Sequence, residues 1–310
     1  MSTSMPQSQQ AAASILMVRP AAIRGNEETA ESNRFQLAMS ITPDDREAAL
    51  QEFDTAVSTL HCTGIDVHVW QEPVSQSCPD SVFPNNWLST HADGRICLYP
   101  MMAPSRRKER DPKIVDYLQA NFQSEEVVDL TQYEHDDAFL EGTGSLVLDR
   151  NNKIAYAARS ARTNESVAQV WCETFGYELC AFETAGPEGI PVYHTNVLMS
   201  VGSSAAVVCF DCLKSESDRA QLRESLATSS KEVVEITIEQ MSSFAGNMLQ
   251  LQGSQPIWAL SQSAFDALQP NQKAVLERSG ELVPIPIPTI ERLGGGSIRC
   301  MIAEIFLPRP

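Results

Sequence analysis

A chain of 310 residues that is 43% hydrophobic and 20% charged can bury a large core, in one large domain or two ordinary ones, and is too apolar to be disordered. Forty acidic against 23 basic side chains give a formal net charge of −17 with no Lys/Arg stripe. Nucleic acid is therefore excluded as an expected partner, because phosphate contacts need clustered cations. No apolar run approaches bilayer-spanning length, and the eight Cys are scattered rather than spaced as a disulfide framework. The expectation is a cytoplasmic protein with reduced thiols and no membrane partner.

In chain order, Met1 to Ser14 is polar, lacks a cationic start followed by an apolar stretch, and reads as a tail rather than a secretory signal. Residues 15–310 are then expected to form one catalytic domain. Residues 15–19 read as a strand, residues 44–60 as a helix and residues 66–70 as a second strand. From Asn85 onward one pattern recurs. Runs starting at 85, 142, 194 and 246, separated by 57, 52 and 52 positions, are each two short β-prone stretches split by a turn. The turns are Asp93-Gly94, Asn151-Asn152, Gly202-Ser203 and Gly253-Ser254. A helical stretch follows each hairpin, near 105–121, 164–176, 215–228 and 263–279. A strand-like run closes each unit, at 127–130, 179–182, 233–236 and 282–285. The module is ββαβ, four times over.

A fifth copy is split between the chain ends. Residues 294–302 supply one hairpin strand, and residues 15–19 with the helix and strand that follow supply the rest. The expected fold is an α/β five-module ββαβ propeller with pseudo-fivefold symmetry, closed by N- and C-terminal strands, an arrangement that removes exposed edges between units. A doubly wound sheet would not repeat hairpins on this period.

In such a ring, equivalent positions converge on one axis. The residues at or beside the module starts are Asn85 and Asn86, Glu141, His194 with Asn196, Asn247, and Cys300. A thiol, an imidazole, a carboxylate and several amides in one cleft make a nucleophile, an acid/base and orienting groups. A Cys in an apolar strand is usually only a small buried hydrophobe, and a lone His is more often a satisfied structural residue; their joint place in the repeat favours catalysis. Cys300 follows Gly294-Gly295-Gly296, whose bare backbone would let a planar substrate approach the sulfur. His194 is the only one of five His at a module start and is assigned the general acid and then the base.

The pattern resembles the pentein superfamily, the five-module fold shared by arginine deiminases, amidinotransferases, dimethylarginine hydrolases and agmatine deiminases. Phe83-Pro84-Asn85-Asn86-Trp87, Leu140-Glu141-Gly142-Thr143-Gly144, His194-Thr195-Asn196 and the glycine run ending at Cys300 most resemble the citrulline hydrolase (citrulline ureidase) branch. The resemblance implies that Glu141 holds a substrate N–H and orients the planar group. Guanidine-processing relatives place carboxylates where this chain has Asn86 and Asn196, and neutral amides suit an uncharged ureido group, which has a carbonyl beside its N–H donors. The expected reaction is hydrolysis of citrulline or a similar amino acid to ornithine, carbon dioxide and ammonia, through a covalent Cys300 intermediate. A guanidino-acting deiminase or amidinotransferase is the alternative. A non-catalytic ring like the ribosome anti-association factors would have no reason to place Cys, His and Glu at module starts.

Arg162 and Arg159 are expected to meet a substrate carboxylate, Arg162-Thr163-Asn164 resembling a substrate-binding stretch of relatives. Arg19 and Asn33-Arg34-Phe35-Gln36 are weaker candidates for a lid or the substrate tail, and Asn247 for the polar rim. Cys209-Phe210-Asp211-Cys212 lacks a second pair at zinc spacing and reads as structural. His135-Asp136-Asp137 reads as a solvated loop. No metal and no cofactor are expected; the partner is a small amino-acid substrate, with homo-oligomerisation left open.

Overall fold

The computed structural model describes residues 10–310 apart from positions 22, 24, 31, 32, 34, 37–41, 77, 187 and 188. Its strands, in chain order, are β1 (Ser14–Arg19), β2 (Asp66–Gln71), β3 (Leu88–Thr90), β4 (Arg95–Leu98), β5 (Glu126–Asp129), β6 (Leu146–Asp149), β7 (Ile154–Arg159), β8 (Glu178–Glu183), β9 (Met199–Val201), β10 (Ala205–Val208), β11 (Glu232–Glu235), β12 (Leu249–Gln252), β13 (Pro256–Ser261), β14 (Glu281–Ile285) and β15 (Ala303–Ile305). Among the described residues they form five three-stranded sheets: β3-β4-β5, β6-β7-β8, β9-β10-β11, β12-β13-β14 and β15-β1-β2. In every sheet the middle strand runs antiparallel to its hairpin mate and parallel to the third strand. A parallel pair needs a crossover, and a helix supplies it in each unit. The expected ββαβ modules are therefore present, and β15 pairing with β1 joins the two ends of the chain in the fifth.

Local chemistry sets the crossover helices. Pro43–Cys62 starts with a reciprocal Thr42–Asp45 capping box and Pro at its first position, and buries Ala49, Phe53, Ala56 and Leu60 along one stripe. Glu165–Phe175 is capped by Asn164 and ended by Gly176 in the left-handed region. Two expected helices are broken. Residues 105–121 resolve into Pro104–Arg107 and Pro112–Asn121, and residues 263–279 into Gln262–Ala267 and Pro270–Glu277. Pro112 and Pro270 each open the second piece, because proline cannot continue the helix before it.

The module starts differ from the expected strands. Pro84–Asn86, Gly142–Ser145 and Thr195–Leu198 are single helical turns, and the strands begin only after them. The fifth start departs most: Cys300 lies not in a strand but in a turn, with Cys300 N–H donating to Ser297 O at 2.9 Å, and β15 begins three residues later. Gly295, at φ +62°, ends the helix Pro288–Gly294, and chain without side chains has nothing to pack as a strand.

These turns carry a cycle of hydrogen bonds around the axis. Thr143 Oγ1 donates to Asn85 O (3.2 Å), Thr195 Oγ1 to Ser145 O (2.6 Å), and Asn247 Nδ2 to Asn196 O (2.9 Å). Arg299 N donates to Asn247 Oδ1 (3.1 Å), and Thr90 Oγ1 to Glu304 O (3.0 Å), which returns to the first module. Residues 10–14 differ from the tail expected for them. Gln10 is buried and its amide donates to Leu148 O and Val201 O, while Gln252 N donates to Ala12 O, so residues 10–14 belong to the domain. No helix of the described residues is long and apolar enough to cross a membrane.

Candidate active site

The converging turns bring Cys300, His194 and Glu141 into one buried cluster. Two side-chain amides donate to the Cys300 sulfur, Asn247 Nδ2 at 3.3 Å and Asn196 Nδ2 at 3.5 Å. Such donors stabilise negative charge on the sulfur as it attacks. The cavity onto which Cys300 opens is also lined by Asn86, His194, Arg162, Asp80, Arg106 and Tyr193.

Glu141 Oε2 accepts from His194 Nε2 at 2.8 Å, and its Oε1 accepts from Met102 N at 3.1 Å. Arg162 and Arg106 stand 3.6 and 3.8 Å from the same carboxylate. Burial would push Glu141 up, but Arg162, the His194 hydrogen bond and Arg106 hold it down at about 2. Burial lowers His194 to about 4, against the raising effect of Glu141 and with help from the two arginines. The resting pair is therefore carboxylate and neutral imidazole. A neutral His194 brings no proton of its own; to act as an acid it must first take one, from the thiol or from water. One consequence is measurable. As pH falls through about 4, His194 gains a proton and loses its capacity as a base, so kcat/KM should drop on an acid limb near 4. A limb near the ordinary histidine value of ~6.5 would contradict this picture.

Gly144 makes the close approach of His194 and Asn86 feasible. A methyl group there would sit 2.4 Å from Asn86 Nδ2 and 2.8 Å from His194 Nδ1. Tyr193 packs its ring beside His194, lies under the Arg162 guanidinium, and donates its hydroxyl to Gly295 O at 2.6 Å. Asn33 Nδ2 donates to Gly294 O and Gly295 O, so part of the expected lid segment does border the cavity; Arg34 lies outside the described residues.

Several expected contacts are absent from the cavity. Asn85 faces Thr143 and serves as a staple between modules. Arg159 is paired with Glu165 near the surface, and Arg19 with Asp54. Glu141 stands behind His194 rather than on the cavity wall, and Asn196 and Asn247 reach the sulfur without lining the cavity. In return the fold adds two groups that pattern reading missed, Asp80 and Arg106. Arg106 is buried, donates to Asn86 Oδ1 at 2.8 Å and to both oxygens of Glu109, and lies 3.7 Å from Asp80. Its only sequence signal is a basic triplet, Arg106-Arg107-Lys108, after a proline. Cys209 and Cys212 are free and buried, with Cys212 Sγ bonded to Cys209 O. Among the described residues no group of His, Cys, Asp and Glu is arranged to hold a metal.

Solved structures share this architecture. The N-terminal domain of ArgZ, an arginine dihydrolase from the ornithine–ammonia cycle in cyanobacteria, solved with bound substrate, matches with a TM-score of 0.74 at 16% identity, covering 95% of this chain and 99% of that one. AgrE in complex with L-arginine matches with a TM-score of 0.71 at 16% identity, over 96% of this chain and 40% of that one. DDAH from Pseudomonas aeruginosa, complexed with citrulline, matches with a TM-score of 0.64 at 14% identity, over 95% and 99%. At these identities the likeness is one of fold, and the chain spans 41% of full-length ArgZ. No curated protein sequence matches. The family described as N,N dimethylarginine dimethylhydrolase, eukaryotic, matches from residue 19 to residue 307, so the chain belongs to that family and, with it, to the pentein superfamily of guanidino-modifying enzymes.

Proposed function

We propose that this chain is a cysteine hydrolase acting on the ureido group of citrulline or a similar amino acid, releasing ornithine, carbon dioxide and ammonia. The Asn86 amide carries the reading. Arg106 holds Asn86 Oδ1, which leaves Nδ2 as a buried donor with no partner among the described residues, on a side chain that lines the cavity. A buried donor left unmatched is costly, and a ureido carbonyl satisfies it where a guanidinium, which carries only donors, does not. Charge supports the same choice. Burial pushes Glu109 up to about 8 and Asp80 above the ordinary carboxylate range, so beside ionised Glu141 one proton stays on this pair, around Arg106 and Arg162. That set is then neutral and suits a neutral head group.

In the proposed reaction His194 takes the Cys300 proton and the sulfur attacks the ureido carbon. The bond from that carbon to the side-chain nitrogen breaks, and His194 returns the proton to the departing amine, giving ornithine. The carbamoyl thioester left on Cys300 is hydrolysed by water that His194 deprotonates, releasing carbamate, which decomposes to ammonia and carbon dioxide. Arg162 is the cation proposed for the substrate carboxylate. All eight cysteines are free thiols, which suits the reducing cytoplasm in which we place the protein.

A guanidino substrate is the second reading, favoured by Asp80 Oδ1, a buried acceptor in the same cavity with no hydrogen-bond partner among the described residues. With all three carboxylates ionised the set carries one net negative charge and would accept a guanidinium. The names of ArgZ and DDAH make arginine and methylated arginines the natural competitors. Initial rates of ornithine, citrulline and ammonia formation from citrulline, from arginine and from dimethylarginine decide between them. Ornithine from citrulline, with kcat/KM at least about fivefold above the guanidino compounds, is expected, since one unmatched buried donor is worth about 1–3 kcal/mol. The reverse order transfers the assignment to the guanidino reading, and no product from any of the three sinks both.

A further inference from the structure

The two amides that hold the Cys300 sulfur are not held alike. Asn247 is pinned at both ends: its Oδ1 accepts from Arg299 N, and its Nδ2 donates to Asn196 O as well as to the sulfur. Asn196 donates Nδ2 to the sulfur, but its Oδ1 is buried and accepts from nothing among the described residues. Four residues on, Ser200 Oγ is also buried with no partner among the described residues. Asn196 and Ser200 are 1% and 5% exposed, and both line a second small cavity, apart from the one onto which Cys300 opens. Its volume is about 20 Å³, and Arg150, Arg299 and Glu304 share its wall.

We propose that this cavity is a site for a single internal water that fixes the orientation of Asn196 and so keeps its N–H group on the Cys300 sulfur. A water needs room of roughly 10–15 Å³ and two to four polar partners, and both conditions are met. The chemistry of the wall selects the occupant. Asn196 Oδ1 demands a donor, which a halide cannot supply. Two guanidiniums nearby oppose ammonium or a metal ion. Water donates to Asn196 Oδ1 and to Glu304 and accepts from Ser200 or arginine. Without that donor the Asn196 amide is free to turn, placing its oxygen lone pairs against the sulfur as it acquires charge. The inference rests on Cys300 being the nucleophile, not on which substrate it attacks.

Two measurements test it. A high-resolution crystal structure of the wild-type protein, with crystals also soaked in bromide, should show a water within hydrogen-bond distance of Asn196 Oδ1 and Ser200 Oγ and no anomalous bromide peak. A dry cavity or a bound bromide overturns the proposal. The second is the rate of Cys300 alkylation by iodoacetamide, read by peptide mass spectrometry so that exposed Cys62 is counted separately. Ser200→Val fills the cavity, and the rate should fall roughly tenfold or more, the worth of one hydrogen bond to a charged group. Ser200→Ala leaves the space and the other partners, and should stay within about threefold of wild type, since only one neutral hydrogen bond is lost. Equal rates in Ser200→Val and wild type overturn the coupling. If Ser200→Val does not fold, the crystal structure alone decides whether the site is as proposed.

Discussion

With Cys300 replaced by alanine, turnover of the preferred substrate should fall by roughly four orders of magnitude or more, because a covalent path has no substitute nucleophile in the cavity. The other polar side chains there are the Asp80 carboxylate, two arginines, two amides, one imidazole and the Tyr193 hydroxyl, and that hydroxyl is committed to Gly295 O and pushed well above its ordinary value by burial. Folding should be nearly undisturbed, since the sulfur accepts only two amide hydrogen bonds. A sharper readout is the intermediate itself. Acid-quenched wild-type protein turning over citrulline should carry a carbamoyl group on Cys300 if the alkyl amine leaves first, and an alkylcarbamoyl group if ammonia leaves first. Intact and peptide mass spectrometry distinguish the two and thereby assign the broken bond. Turnover retained within tenfold in the alanine variant, or an adduct on another cysteine, would refute Cys300 as nucleophile.

The ring was legible because it rests on periodic signals: β-prone pairs around Asp-Gly, Asn-Asn or Gly-Ser turns, repeated at 52–57 positions. Convergence of Cys300, His194 and Glu141 followed from symmetry, since equivalent module starts must face one axis. What symmetry cannot tell is which way a side chain on such a turn points. Asn85 and Asn86 are adjacent, yet one staples two modules and the other lines the cavity. Asn196 reads as a partner of the ureido group and Asn247 as a rim residue, and both instead hold the sulfur. Asp80 was invisible because it sits in an irregular segment before a hairpin, and Arg106 because its helix, Pro104–Arg107, is a single turn too short to show a period. The helix Ile238–Ser242 was readable in principle, through the Thr237/Gln240 capping box, but five residues give too little periodicity to stand out. The glycine run before Cys300 reads as open approach to the sulfur. In the structure Gly294 and Gly296 also receive the Phe83 ring, a contact between chain segments far apart in sequence.

Arg106→Met should be the most destabilising substitution in the site. The guanidinium is buried, with its side chain 3% exposed, and donates to both oxygens of Glu109, to Asn86 Oδ1 and to Phe83 O, beside Asp80 and Glu141. Its partners raise it well above the ordinary arginine value despite burial, which lowers it, so it stays charged at any working pH. Removing it strands three carboxylates around Arg162 alone. Breaking one side of a buried charge network costs about 3–5 kcal/mol. With an unfolding entropy of roughly 2 cal/mol/K per residue, that corresponds to a fall in Tm of about 5–8 °C for a chain of this length. A second substitution separates charge from packing. In Arg106→Met with Glu109→Leu one stranded carboxylate is gone, so part of the lost Tm should return, while kcat/KM stays low because Asn86 Oδ1 has lost its donor and its amide can turn. Thermal unfolding and kcat/KM on the same three proteins supply both readouts. A single variant within about 2 °C of wild type would mean that Arg106 is dispensable to the network, since stranding a buried charge costs more than that. A double variant no more stable than the single would mean that Glu109 is not what Arg106 holds in place.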